Sequence, residues 1–177
     1  MCAKNTDTAN LETKGYCWYK STNGIKRHLL VDVLGNPYFV HCTRANISDD
    51  DGLLAIIKQE QEYFLSLPLA HRLTILLDNG YHKDYLEQQL EQIEPLLRER
   101  ITIELSAKIK PPQRAASKQE NPAKQGFVVI RKRWIVERTN AWINQCRVLW
   151  KNCEGLIRTS EAKIRICAIR LILRRLA

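Results

Sequence analysis

Hydrophobic and polar positions alternate along the first half of the chain in a way that predicts short strands and helices in turn. Residues 27–33 (RHLLVDV) and 38–44 (YFVHCTR) are rich in β-branched, apolar and aromatic side chains and flank Gly35, Asn36 and Pro37, the pattern of an antiparallel hairpin. Ser48 followed three positions later by Asp51 has the spacing of an N-terminal capping box, so a helix is predicted over 49–65. The run TILLDNGY at 74–81 is apolar until it meets an acid and an Asn-Gly turn. It reads as a strand buried on both faces, and helices on either side favour a parallel arrangement. HKDYLEQQLEQIE at 82–94 reads as a helix that stops or kinks before Pro95, and ITIEL at 101–105 as a further strand.

Residues 106–126 (SAKIKPPQRAASKQENPAKQG) hold three prolines and five basic residues and read as a flexible basic loop. The pattern after the loop is helical, interrupted near Gly155. Strand–helix alternation followed by helices points to an α/β layer with a helical C-terminal part, and 177 residues suffice for one domain with a real core.

Composition changes this picture only in its charge. The formal net charge is +9, and the segment from residue 131 to the end carries twelve Lys or Arg against three acids, whereas residues 1–130 carry 16 of each. A cationic segment of this kind suits a polyanion, of which nucleic acid is the commonest, because neutralising phosphates releases counterions; a solvated cationic surface is the alternative. The six cysteines include no Cys-x-x-Cys pair, and the first fifteen residues are polar, so reduced thiols in a cytosol are expected. Arg165, Arg170, Arg174 and Arg175 break the apolar C-terminus, which excludes it as a membrane span.

Two acids stand out. Asp78 is placed at the carboxyl end of a predicted strand, where α/β sheets form their sites, although Asp-Asn-Gly also makes a simple polar turn. Glu137 lies in RKRWIVERTNAWINQCRVLW, 131–150. On a helix, Ile135, Thr139, Trp142, Ile143, Cys146, Leu149 and Trp150 form one stripe, and Glu137 falls opposite it beside Arg133, Asn140, Asn144, Arg147 and Lys151. A carboxylate in that setting is either part of a surface ion-pair lattice or a ligand for a hard divalent cation beside a phosphate track. The four histidines show no metal-ligand spacing, and no glycine-rich phosphate loop or Gly-x-Ser-x-Gly is present. Trp134, Trp142 and Trp150 recur every eight residues, a packing pattern unless the stripe is incompletely buried.

In order, KGYCWYKSTNGIKRHLLVDVLG, LLDNGY and RWIVERTNAWINQCRVLWKNCEG resemble the catalytic part of bacterial insertion-sequence transposases with an Asp-Asp-Glu triad, over nearly the whole chain. The resemblance implies a ribonuclease-H-like mixed sheet with flanking helices, and Mg²⁺-dependent cleavage and joining of double-stranded DNA at transposon ends, with Mn²⁺ as a substitute. It makes Asp78 the second acid and Glu137 the third, and it makes Arg133, Arg138, Asn144, Arg147 and Lys151 candidates for DNA contact. Arg133 matches the arginine of the family's Tyr-Arg-Glu-Lys signature, whereas Ile130 and Asn144 stand at the Tyr and Lys positions. The first acid is expected to end a strand upstream of Met1; Asp7 follows the place where it belongs, and Asp32 sits on the hairpin. The chain is therefore expected to be a single partial catalytic domain over residues 1–177, impaired in catalysis or reduced to a basic DNA-binding remnant. Two copies on DNA, a cytoplasmic, nucleoid-associated location and no membrane partner follow from the same resemblance.

Overall fold

The hairpin forms around the turn that its sequence encodes. In the computed structural model, which describes residues 2–4, 14–68, 72–106 and 133–176, strand β3 (Thr22–Val31) pairs antiparallel with β4 (Pro37–Arg44). The register runs from Ile25 opposite Arg44 to Val31 opposite Pro37. Between them Asp32 Oδ1 accepts the backbone N–H groups of Leu34 (2.9 Å) and Asn36 (2.8 Å), and Gly35 takes φ +82°. That backbone is open to glycine and costly for most other residues. Two short strands, β1 (Cys2–Lys4) and β2 (Tyr16–Cys17), also pair antiparallel with β3 and complete a four-stranded sheet.

Ser48 caps helix α1 (Asp49–Gln59) as the capping box requires: its Oγ accepts the Asp51 N–H at 3.0 Å and donates to Asp51 Oδ2 at 2.6 Å. The single helix expected over 49–65 is two, because the chain breaks at Glu60 before α2 (Gln61–Ser66). The break turns Phe64 into the core, fully buried and 5.5 Å from the Phe39 ring. Strand β5 (Leu73–Leu77) then pairs in parallel with β6 (Ile101–Leu105), and α3 (Lys83–Ile93) and α4 (Pro95–Arg100) form the crossover, broken at the predicted proline. Burial on both faces of β5 was the expectation, yet only Ile75 and Leu77 are buried and Leu76 is 41% exposed. Helices cover one face of the pair, and among the described residues no strand joins it to the four-stranded sheet.

The helical C-terminal part is α5 (Arg133–Asn144) and α6 (Ile157–Leu176). The helix ends earlier than its stripe suggested: the Gln145 and Cys146 N–H groups bond the carbonyls of Trp142 and Ile143, and a 3-10 turn spans Arg147–Leu149. Burial explains the bend, since Cys146 and Leu149 join Ile25, Val40, Cys42, Ile143, Ile164 and Cys167 in one core between sheet and helices. A second core holds Leu53, Ile57, Phe64, Leu77, Leu86, Leu97 and Ile103, with Leu30 and Phe39 against it. Alternate residues of β3 and β4 thus feed opposite cores, α5 and α6 on one side and α1 to α4 on the other. The chain is α/β, and no described helix is long and apolar enough to cross a membrane.

Candidate active site

Asp78 follows the last residue of β5, so its position is set by the buried Ile75 and Leu77 just before it. Its Oδ1 accepts the Asn79 N–H at 2.7 Å, its carbonyl accepts the Tyr81 N–H at 3.1 Å, and Gly80 faces open space. The polar turn and the carboxylate at a strand end are the same feature: the turn is what presents the acid. The turn delivers the chain to His82, whose N–H and ring Nδ1 meet the two carboxylate oxygens of Asp50 at 3.0 and 2.7 Å. Asp50 is buried, so this contact ties the start of α1 to the start of α3. Asp49, Asp50 and Asp78 all raise the Tyr81 hydroxyl pKa, after burial as the main cause. Asp50, Tyr81 and His82 carry no sequence signal for these roles, which depend on α1 meeting the β5 turn, a tertiary contact with no local signature.

Glu137 is exposed on α5, and the neighbouring turn of helix fixes it. Thr139, fully buried, places its Oγ1 2.7 Å from the Gly35 carbonyl. Arg138 donates from Nη2 to the Leu34 carbonyl at 2.7 Å, with its guanidinium 4.1 Å from the Trp134 ring and 4.7 Å from the Trp142 ring. Arg175, near the end of α6, lies 5.0 Å from the Trp142 ring and donates to Asn36 Oδ1 at 2.6 Å. Trp142 is half-buried between two arginines, whereas Trp134 and Trp150 are 47% and 76% exposed, so the aromatic stripe is incompletely buried.

Of the candidate DNA contacts, Asn144, Arg147 and Lys151 are exposed, and Lys151 Nζ sits 5.2 Å from the Trp150 ring. Arg147 and Lys151 lie beyond the end of α5, so they do not continue the Glu137 face of that helix. Arg133 begins α5 and its side chain falls outside the described residues, as do the 107–126 part of the basic loop, Ile130 and Asp7. Asp32 serves the turn: besides the two N–H bonds it accepts Asn36 Nδ2 at 2.8 Å. Burial pushes its pKa up, but these hydrogen bonds outweigh burial and hold it below the usual carboxylate range.

One carboxylate thus closes a parallel strand, and another stands on a basic helix that is pinned to the hairpin turn. The family model described as transposase DDE domain matches residues 5–172, and the chain belongs to that family. It is also 27% identical over 130 residues to a candidate transposase of insertion sequence element IS402 from Burkholderia cepacia. The match covers 71% of this chain and 52% of that protein, so the chain spans about half the length of this relative. No solved structure matches it.

The family implies a divalent cation, which asks for several oxygen ligands converging on one point. Among the described residues no group of three or more His, Cys, Asp or Glu side chains could hold a metal ion. Asp78 and Glu137 therefore do not, with the described residues alone, make up such a site.

Proposed function

We propose that this chain is catalytic-domain sequence of an insertion-sequence transposase, a ribonuclease-H-like α/β unit that cleaves and joins double-stranded DNA at transposon ends with Mg²⁺ or Mn²⁺. The observation that carries the proposal is the family match over residues 5–172, inside which Asp78 falls at the carboxyl end of a parallel strand. The order of an antiparallel hairpin sheet with helices on both of its faces, a helix and then parallel strands supports the ribonuclease-H-like reading. In it Asp78 and Glu137 are the second and third metal-binding acids, and Arg133, Asn144, Arg147 and Lys151 meet phosphates. Arg138 is already engaged by Leu34 and the two indoles, and its contribution is to hold α5 in place. The protein would work on DNA in the bacterial cytoplasm, at the nucleoid, as two copies.

The test is nicking of supercoiled plasmid in Mg²⁺ or Mn²⁺ by the full chain, with Asp78→Ala and Glu137→Ala beside it. Metal-dependent nicking that both substitutions abolish is the expected result. The missing third ligand among the described residues favours a second reading, a DNA-binding remnant without catalysis. Salt-sensitive DNA binding with no carboxylate-dependent nicking would establish that reading in place of the first.

A further inference from the structure

Between β2 and β3 the chain makes one 3-10 turn, Trp18–Lys20, and carries the two most exposed aromatic rings of the described residues on it. Trp18 is 86% and Tyr19 94% exposed. Tryptophan is mostly buried in folded proteins, and a ring in water gives up the burial that normally offsets its ordering. This turn is nonetheless firmly built. Tyr16 pairs with Asn23 and Cys17 with Thr22, the Gly24 N–H bonds the Gly15 carbonyl at 2.8 Å, and Thr22 Oγ1 donates to the Lys20 carbonyl at 2.7 Å. Ser21 closes the turn at φ +45°. A Cβ on Gly15 would meet the Ala45 backbone nitrogen at 2.6 Å, so the base of the turn lies flat against the end of β4. The Tyr16 ring stands edge-on to the Trp18 indole, 4.9 Å between centroids and 80° between planes, which limits the directions the indole takes.

The segment that builds this tip carries charge of one sign. From Lys14 to Arg27 the chain has four cations and no acid. Arg27 is buried and Lys26 is bound to Asp49 and the Ile47 carbonyl, which leaves Lys14 and Lys20 exposed on the same segment as the rings. Aromatic faces flanked by lysines complement a nucleic-acid strand with accessible bases, because every base has a π-face and every link a phosphate. A paired duplex offers such a face only at an end or an opened pair.

We propose that Trp18 and Tyr19 form a stacking platform for an unpaired base of the bound DNA, with Lys14 and Lys20 on the adjoining phosphates. The platform deepens the transposase reading and rests on it: it assigns the unpaired nucleotide at a cleaved or frayed end to the β2–β3 tip, an element that carries neither Asp78 nor Glu137.

Fluorescence anisotropy with the full chain tests it, using two labelled probes, a blunt duplex and the same duplex with a three-nucleotide thymidine overhang. The wild type binds the overhang more tightly. Trp18→Ala and Tyr19→Ala each weaken overhang binding by about 5-fold or more and leave blunt-duplex binding unchanged, the size expected for one base–aromatic contact. Trp18→Phe restores most of the loss. Both rings are in water, so these variants keep the fold, checked by circular dichroism. Equal affinity for the two probes, or alanine variants that bind the overhang as the wild type does, overturns the platform. Arg147→Ala with Lys151→Ala distinguishes that failure from a larger one: if it lowers affinity for both probes, the DNA reading stands without the platform. Wild-type chain that binds neither probe removes both. Self-association that disappears in the alanine variants while overhang affinity is unchanged assigns the rings to a protein interface and also overturns the proposal.

Discussion

Gly52 sits in the first turn of α1 against the ring of His28, and replacing it with alanine sets two known effects against each other. Alanine favours a helix interior over glycine by about 1 kcal/mol. The added Cβ, however, would come within 3.0 Å of the His28 Cε1, Nδ1 and Nε2 atoms, nearer than Cβ atoms approach anything. Comfortable carbon contacts begin at about 3.5 Å, so the imidazole must retreat by on the order of 1 Å or turn to another rotamer. It has little freedom to do either: His28 is buried on β3, and its Nε2 shares a 2.9 Å hydrogen bond with Thr43 Oγ1. Overpacking of this kind costs about 1–3 kcal/mol, and a buried nitrogen that loses its partner adds about 1–3 kcal/mol.

The clash therefore outweighs the propensity, and Gly52→Ala should lose about 1–5 kcal/mol net, a fall of roughly 2–20 °C in Tm for a chain of this size. Urea unfolding followed by circular dichroism at pH 8, where His28 is neutral in both states, measures it. The companion variant His28→Ala leaves a space that the Gly52→Ala methyl partly fills, so the double mutant should be more stable than the sum of the single losses by about 1 kcal/mol or more. A Gly52→Ala protein at least as stable as the wild type, or strict additivity in the cycle, would refute the contact.

Burial also brings the His28 pKa down from 6.5 to about 4. The unfolded chain then binds a proton that the folded one refuses between pH 6.5 and 4, so stability is unaffected above that window and falls by about 3 kcal/mol across it. His28→Gln should flatten that part of a stability–pH curve measured by urea unfolding, and an unchanged slope would sink the assignment. Arg138→Ala, which removes the bond to Leu34 and both indole contacts, should cost about 2 kcal/mol, and Arg138→Lys should recover little because an ammonium cannot lie flat between two rings. Thermal unfolding reads this directly; a variant that keeps wild-type Tm but loses DNA affinity would return Arg138 to the phosphate track.

The elements that were legible in sequence are those whose signal is local. The hairpin declared itself through β-branched runs around Gly35, Asn36 and Pro37, α1 through Ser48 and Asp51, and the α3–α4 break through Pro95. The misread elements were decided by partners distant in sequence. The stripe from Ile135 to Trp150 suited one helix, but Cys146 and Leu149 had to face Ile164 and Cys167, and bending after Asn144 was the way to bury them. Leu76 reads as core in a run of three apolar residues, and is exposed because, among the described residues, helices cover only one face of β5. The same division holds for the site: Asp78 was found because strand ends have a pattern, whereas Asp50, His82 and Tyr81 come together only once α1 lies beside the β5 turn.

That division gives Asp32 a meaning which its position alone did not. Its carboxylate is occupied with the N–H groups of Leu34 and Asn36 and with the Asn36 amide, and so is not at liberty to serve as an acid in a triad. What those bonds fix is the direction of two carbonyls. Leu34 presents its oxygen to Arg138 and Gly35 presents its oxygen to Thr139, the two residues that follow Glu137 on the helix. From α6, Arg175 grips the same loop through Asn36 and lies against Trp142. A carboxylate on a surface helix can move with every fluctuation of that helix. Here the helix is bolted through consecutive residues to a turn that is itself closed by side-chain hydrogen bonds, so Glu137 inherits the rigidity of the hairpin. The acid that looks like a spare ligand is, by geometry, part of the mounting that holds Glu137 in place.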